Sequence, residues 1–173
     1  MKEILKSAIT VSKLPFKLAS GGSSHTMLDT SKVLRTKAGQ NALIAYLKTR
    51  EHDNFDCVGG PLCGAELVAS AVCQAWNIAE WFGIRKEPKG RGYDSGHLTG
   101  NLKVGDKVLL VEDVCTTGSN VLRCIPHIAQ AGGILAGVLV VVDRGGLQNV
   151  QEKTDVKCTA LFTLEELTKN SDK

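Results

Sequence analysis

The 173-residue sequence predicts an α/β fold, a doubly wound parallel sheet of about five strands with a small N-terminal hood. Three observations lead there. From Phe55 onward, apolar runs of strand length alternate with stretches of helical spacing. The most informative run, Val108-Leu109-Leu110-Val111, is wholly apolar and reads as a strand covered on both faces. It leads into Glu112-Asp113-Val114-Cys115-Thr116-Thr117-Gly118-Ser119-Asn120, two adjacent carboxylates and then small capping residues, and a helical pattern begins near Val121. A strand, a short polar loop and a helix start are how open α/β sheets present ligand sites at the carboxyl ends of their strands.

The elements follow in chain order. Residues 2–12 place Ile4, Leu5, Ala8, Ile9 and Val11 at helical spacing and predict a helix. Pro15 breaks it, and residues 14–18 read as a short extended piece. Residues 19–24, Ala-Ser-Gly-Gly-Ser-Ser, are turn chemistry. Residues 25–29 read as a second short strand, forming a hairpin-like hood with the first. Thr30 or Ser31 caps a short turn, and a helix is expected from Gly39 to Thr49 with Leu43, Ile44 and Leu47 on one face. The hood occupies about residues 1–35 and the core about 36–173 of a single domain.

Within the core, Phe55 to Gly59 is a strand, Ala65 to Trp76 an Ala-rich helix, and Ile78 to Ile84 a strand. Residues 85–103 have no periodicity and hold Pro88 and four glycines, the mark of a functional or disordered loop. The next strand, at 108–112, is ended by its two carboxylates. A helix from about Ser119 to Ala131, strands at 134–142 and 156–161, and a short helix from Leu164 to Lys169 complete the chain. Repeated βα units imply right-handed crossovers.

Composition narrows the function classes. Hydrophobic residues at 43% and charged residues at 23% are ordinary for a globular domain, which excludes the disordered and fibrous classes. No apolar run reaches the length of a membrane span, and Met1-Lys2-Glu3-Ile4 lacks the core of a signal peptide, so a cytoplasmic location is expected. The formal charge is +3, and residues 85–92 (Arg85, Lys86, Lys89 and Arg91 against Glu87) carry a net +3 by themselves. A nucleic-acid binder spreads positive charge over a face. Charge gathered into one loop suits a small polyanion instead. The six cysteines form no Cys-x-x-Cys and no zinc-finger spacing with histidine, and read as small buried hydrophobes in a reducing compartment. Cys63 and Cys115 stand apart because they fall in candidate ligand loops.

Four segments carry candidate chemistry. At Thr116 to Ser119, backbone N–H groups, hydroxyls and the positive end of a helix dipole suit a phosphate. Glu112 and Asp113 can accept from sugar hydroxyls or help hold a divalent cation, so a phosphorylated sugar satisfies both halves. Gly59-Gly60-Pro61-Leu62-Cys63-Gly64 is either a close-approach ligand loop or a simple βα turn. Arg85 to Gly92 is either a polyanion loop or a solvated charge run, and Asp143-Arg144 either a ligand contact or a surface ion pair.

The strand, Glu-Asp and Thr-Thr-Gly-Ser resemble the phosphoribosyl-pyrophosphate (PRPP) motif of the type I phosphoribosyltransferases. Arg85-Lys86-x-x-Lys89-x-Arg91-Gly92 resembles the Arg-Lys-x-x-Lys-x-His-Gly mobile loop of the orotate phosphoribosyltransferases, with Arg91 in the place of His. Phe16-x-Leu18-Ala19-Ser20-Gly21-x-x-Ser24-x-x-x-x-Asp29 resembles that family's hood signature, with Thr26 and Met27 where its aromatic pair lies. The likeness runs from about Phe16 to Leu161 and implies the type I phosphoribosyltransferase fold.

By that resemblance, PRPP is bound by Glu112, Asp113, Cys115, Thr116, Thr117, Gly118 and Ser119, with its pyrophosphate on Gly60, Pro61, Leu62, Cys63 and Gly64. Orotate meets Arg144, Thr117, Ser20, Gly21, Thr26 and Met27. The catalytic set is Lys89, Lys86, Arg85, Arg91 and Asp113. Mg²⁺ is implied as cofactor, bound mainly through PRPP with no firm protein ligand. A homodimer is implied in which the basic loop, residues 85–100, completes the neighbouring site. The implied reaction is a pentosyl transfer joining orotate to PRPP, giving orotidine 5′-monophosphate and pyrophosphate in pyrimidine biosynthesis. The departures at Arg91, Thr26 and Met27 leave two alternatives open. One is a phosphoribosyltransferase for another base, the other a non-catalytic PRPP- or nucleotide-sensing regulator on the same fold. Arg91 supplies charge but not the proton a histidine can give, because a guanidinium stays charged.

Overall fold

The computed structural model describes residues 1–17, 22–89 and 96–169. Helix α1 (Lys2–Lys6) is only five residues long and is anchored by the buried Leu5. Strands β1 (Ile9–Lys17) and β2 (Ser23–Leu28) form a separate antiparallel ribbon, with Ile9 opposite Leu28 and a shift of register between Val11 and Phe16. The helix predicted over residues 2–12 is therefore corrected. It ends at Lys6, and the β-branched Ile9, Thr10 and Val11 take ladder positions against β2. The hairpin hood itself is as predicted, but residues 18–21, including Ser20 and Gly21, lie outside the described residues.

Helices α2 (Ser31–Leu34) and α3 (Lys37–Leu47) follow. Thr36 caps α3 by accepting the Gly39 N–H at 3.0 Å, which starts the helix two residues before the predicted Gly39. Then come β3 (Cys57–Pro61), α4 (Ala65–Trp76), β4 (Glu80–Ile84), β5 (Leu98–Gly100), β6 (Lys107–Cys115), α5 (Ser119–Gln130), β7 (Ile134–Asp143), α6 (Leu147–Gln151), β8 (Cys158–Thr163) and α7 (Leu164–Thr168).

The main sheet has six strands in the order β5-β4-β3-β6-β7-β8. Five are parallel, as the sequence predicts, and the sixth is β5, a three-residue strand antiparallel to β4 within the stretch read as irregular. Three residues give no period to read, and Gly100 has a positive φ where a side chain would crowd the Trp81 carbonyl at 2.8 Å. Two further differences concern the site. Strand β6 does not stop at its carboxylates but runs on to Cys115, pairing Val114 with Val142 and Cys115 with Asp143. Helix α6, one turn and a half, has no counterpart in the sequence reading.

The chain moves from β3 to β5 in one direction, returns across β3 to β6, and moves away through β8. The order reverses between β3 and β6, and ligand sites of open sheets form at such reversals. Side chains alternate across the strands. Val58, Leu109, Val111, Leu139 and Val141 pack with α3 and α4 on one face. Val108, Leu110, Val138 and Val140 pack with α5 and α6 on the other. The central strands are covered on both faces and form the rigid frame of the site.

That frame leaves no room at Gly59. It pairs with Phe82, and an added Cβ would lie 2.2 Å from the ring's Cζ. Gly59→Ala is expected to destabilise the protein by about 1–3 kcal/mol. Urea unfolding measures this, and an unchanged midpoint would show that the Phe82 ring can move aside.

Candidate active site

Adjacent strand residues face opposite sides of a sheet. Glu112 lies on the side of Val108 and Leu110 and is 4% exposed. Its Oε1 accepts the Asp113 N–H at 3.2 Å, and its Oε2 has no partner. Burial, and then the neighbouring Asp113 carboxyl, push the Glu112 pKa up to about 9, so this carboxyl holds a proton at neutral pH. Asp113 faces the other way. Its Oδ2 accepts the Thr30 hydroxyl at 2.6 Å, and its Oδ1 accepts the Val114 N–H at 2.9 Å. Among the described residues, Thr30 and Glu112 are the buried polar side chains, and both flank Asp113. Thr30 is a site residue the sequence reading missed. Nothing local marks it beyond a capping residue, because its partner is 83 positions away.

The loop after β6 is shaped for an anion. Gly118 takes φ +78 at the N-cap of α5, and the first helical bond runs from the Leu122 N–H to the Gly118 carbonyl at 2.9 Å. The amides of Asn120 and Val121 have no acceptor within the helix. Thr117 Oγ1 and Ser119 Oγ lie 2.9 Å apart at the exposed rim, with Thr116 half-buried beneath. Cys115 is buried and its thiol is pushed up to about 12, first by burial and then by the Asp143 charge, so it is no nucleophile.

Beside it, Gly60 and Pro61 close β3, where a Cβ on Gly60 would lie 2.4 Å from the Val111 carbonyl oxygen. Leu62 donates its N–H to the Ile84 carbonyl at 2.9 Å, Cys63 is exposed, and Gly64 takes φ +129. A side chain at Gly64 would meet the Asp113 carboxylate at 3.1 Å. The structure thus brings the first loop, the Asp113 carboxylate and the loop after β6 together at the sheet's reversal point, with Glu112 buried on the other face.

The basic segment leaves from the same edge. Arg85 donates its N–H to the His97 carbonyl at 2.8 Å, and its own carbonyl lies 3.3 Å from Arg123 Nη1 and 3.0 Å from His97 Nδ1. The His97 ring stacks on His127 at 4.1 Å, and burial, with the charges of His97 and Arg123, holds the His127 pKa below its usual value. Lys86 and Lys89 are exposed, and the Lys89 N–H reaches the Gly96 carbonyl at 3.2 Å. Arg91 lies outside the described residues.

The third corner, after β7, joins core to hood. Arg144 donates its N–H to the Cys115 carbonyl at 2.8 Å and its Nη2 to the Thr26 carbonyl at 3.2 Å. Asp143 Oδ1 accepts the N–H groups of Gly145 at 2.9 Å and Leu147 at 3.0 Å, so it shapes the turn into α6. Thr26 is half-buried and Met27 is 45% exposed on the ribbon.

A sugar phosphate needs amides for its phosphate within reach of acceptors for its hydroxyls, and the β6–α5 junction supplies both, as the phosphoribosyltransferase class does. The phosphoribosyl transferase domain family matches residues 29–166. The orotate phosphoribosyltransferase of Thermococcus kodakarensis is 40% identical over 84% of this chain and 78% of that protein. That of Aquifex aeolicus is 34% identical over 95% of this chain and 93% of that protein. The solved Mycobacterium tuberculosis orotate phosphoribosyltransferase in complex with PRPP has a TM-score of 0.76, covers 96% of this chain and 95% of its own, and is 24% identical, which shows the shared fold. The chain belongs to the orotate phosphoribosyltransferase family.

A carboxyl whose pKa is raised by folding contributes in full below its ordinary value of 4.5 and loses that contribution as pH climbs toward about 9. Glu112→Gln stays neutral throughout. Urea unfolding between pH 5 and 9 is expected to show the parent losing stability relative to this variant as pH rises. Parallel curves would mean that Glu112 is ionised at neutral pH.

Proposed function

We propose that the protein transfers ribose 5-phosphate from PRPP to orotate, giving orotidine 5′-monophosphate and pyrophosphate. The observation that carries this reading is the meeting of the Asp113 carboxylate, the Gly64 turn and the Thr116–Ser119 loop in one cleft. In it, Thr116, Thr117, Gly118 and Ser119 hold the 5′-phosphate, and Glu112 and Asp113 meet the ribose hydroxyls. Residues 60–64 contact pyrophosphate, largely through backbone. Arg144, with Thr26 and Met27 of the hood and the turn at Ser20 and Gly21, meets the base, where a guanidinium suits the orotate carboxylate.

The bond at the anomeric carbon loosens early, so the sugar becomes cation-like while pyrophosphate leaves as a polyanion. Catalysis then reduces to holding orotate and leaving group in line and neutralising charge. Arg85, Lys86, Lys89 and Arg91 do this as the loop closes and excludes water. Glu112 and Asp113 point to opposite faces, so they do not chelate one ion together. The donor set fits Mg²⁺ carried mainly by PRPP, and Asp113 would be the carboxylate open to it, since Glu112 is buried. When bound, Mg²⁺ supplies charge neutralisation at the pyrophosphate oxygens.

A homodimer belongs to the same proposal. The β1–β2 ribbon presents Val11 at 74%, Leu14 at 77% and Met27 at 45% exposure, and an isolated two-stranded ribbon with exposed apolar side chains gains from cover by a second subunit. Six unpaired thiols support a reducing, cytoplasmic setting. No helix among the described residues is long and apolar enough to cross a membrane.

With Mg²⁺ and PRPP, the protein is expected to consume orotate, seen as a fall in its absorbance. Turnover of adenine, hypoxanthine or uracil without orotate would overturn the base assignment. Asp113→Asn and Lys89→Ala are each expected to abolish most activity, Lys89→Ala mainly through kcat. Mixed, the two variants are expected to regain activity toward half the parental rate per heterodimer, because one site of each pair is then intact. Confirmed subunit exchange with no return of activity would place the loop in its own subunit's site.

A further inference from the structure

We infer that Asn149 is a positioning residue for PRPP: its carboxamide pins the Thr117 carbonyl on the α6 side of the phosphate loop and keeps that oxygen off the anion site. The inference rests on the proposed function and adds a residue to it. Asn149 Nδ2 donates to the Thr117 carbonyl at 2.8 Å. It belongs to a face of α6 laid against the loop, since Gly146, Asn149 and Val150 fall at i, i+3 and i+4. A Cβ on Gly146 would lie 2.6 Å from the Thr116 carbonyl carbon and 2.7 Å from the Thr117 and Gly118 nitrogens. A Cβ on Gly118 would lie 2.6 Å from Val150 Cγ2. Helix α6 is therefore the outer wall of the loop, and Asp143 Oδ1 fixes its start through Gly145 and Leu147.

The peptide unit explains why the carboxamide matters. It is planar, so turning the Thr117 carbonyl also swings the Gly118 nitrogen at the N-cap. A loop that binds a phosphate must present N–H groups and hydroxyls and turn carbonyl oxygens away, because a carbonyl dipole aimed at a dianion repels it. Gly146 and Val150 limit the space of the loop but supply no donor. The Asn149 amide is the group that selects the orientation of this one carbonyl. A carboxylate in its place would have nearly the same shape, no donor, and a charge of the wrong sign beside the phosphate.

Steady-state kinetics of Asn149→Ala, Asn149→Asp and Asn149→Gln test this, together with calorimetric binding of ribose 5-phosphate and melting temperature. Loss of one such hydrogen bond is expected to raise the PRPP KM about tenfold in Asn149→Ala. Asn149→Asp is expected to exceed that, and Asn149→Gln, which keeps the donor, to recover part of it. The ribose 5-phosphate Kd should rise in parallel, with kcat and the orotate KM within about twofold of the parent. A merely structural role would lower the melting temperature and kcat and leave Gln and Asp alike. The inference is overturned if folded Asn149→Asp and Asn149→Gln bind PRPP and ribose 5-phosphate equally well. Failure of the underlying reading shows earlier and separately, as a parent protein that neither consumes PRPP nor binds ribose 5-phosphate.

Discussion

The hydrogen bond from Thr30 to Asp113 ties the end of the hood, just past its second strand, to the central strand, and the loops at the sheet's reversal point are arranged about it. A carboxylate inside a protein needs partners or gives up its charge. Asp113 has the Thr30 hydroxyl and the Val114 N–H. Glu112, one residue earlier and on the opposite face, has only the Asp113 N–H and takes up a proton instead. Burial on that face, more than its neighbour's charge, is what keeps the Glu112 carboxyl protonated. On the proposed reading that proton is useful, because a ribose hydroxyl is both donor and acceptor. A neutral acid can give or take a hydrogen bond, and the carboxylate beside it can only accept.

The positive side of the site is built on the opposite rule. The ion pairs among the described residues, Lys6–Glu3, Lys103–Glu80 and Lys169–Glu165, leave out Arg85, Lys86 and Lys89. At the stem, His97, His127 and Arg123 gather with Arg85, adding donors and cations rather than carboxylates. The stem is fixed through β4 and β5, and among the described residues Lys86 and Lys89 stand exposed with no ion pair, which on the proposed reading suits a polyanion. On the proposed reading the rigid sheet holds what must be placed accurately, and the stem carries charge that would be needed only as pyrophosphate departs.

Most of the sheet was legible because its strands are apolar and the helices between them show helical spacing. Ala65 to Trp76 was bounded to the residue, between a glycine-rich loop and Asn77 in the left-handed conformation. The failures share a cause. Strand β5 and helix α6 are three and five residues long, too short to show a period, and tertiary contacts alone hold them. The helix predicted over residues 2–12 failed because helical spacing and an edge-strand pattern overlap in a short run, and pairing with β2 decided it. In the site, the backbone motif of residues 112–119 could be read directly. Thr30 and Asn149 could not, since each acts on an atom tens of residues away.

The elements proposed to hold the sugar phosphate and the base are of unequal stability. The Thr116–Ser119 loop leaves the buried centre of the six-stranded sheet and is backed by α6. The hood is two strands with exposed apolar residues, joined to the core through the Thr30 to Asp113 bond at 2.6 Å and the Arg144 to Thr26 bond at 3.2 Å. Small ribbons of this kind open more readily than a covered sheet. On the proposed reading, substitutions at Thr26 and Met27 would therefore change what meets the base while leaving the central sheet untouched. Arg144 is the link between the two, because its N–H is bonded to Cys115 at the phosphate loop and its guanidinium to the hood. On the proposed reading, a base that draws the guanidinium away from Thr26 would loosen the hood from the core, so base binding and the seating of the ribbon would share one exchange of hydrogen bonds.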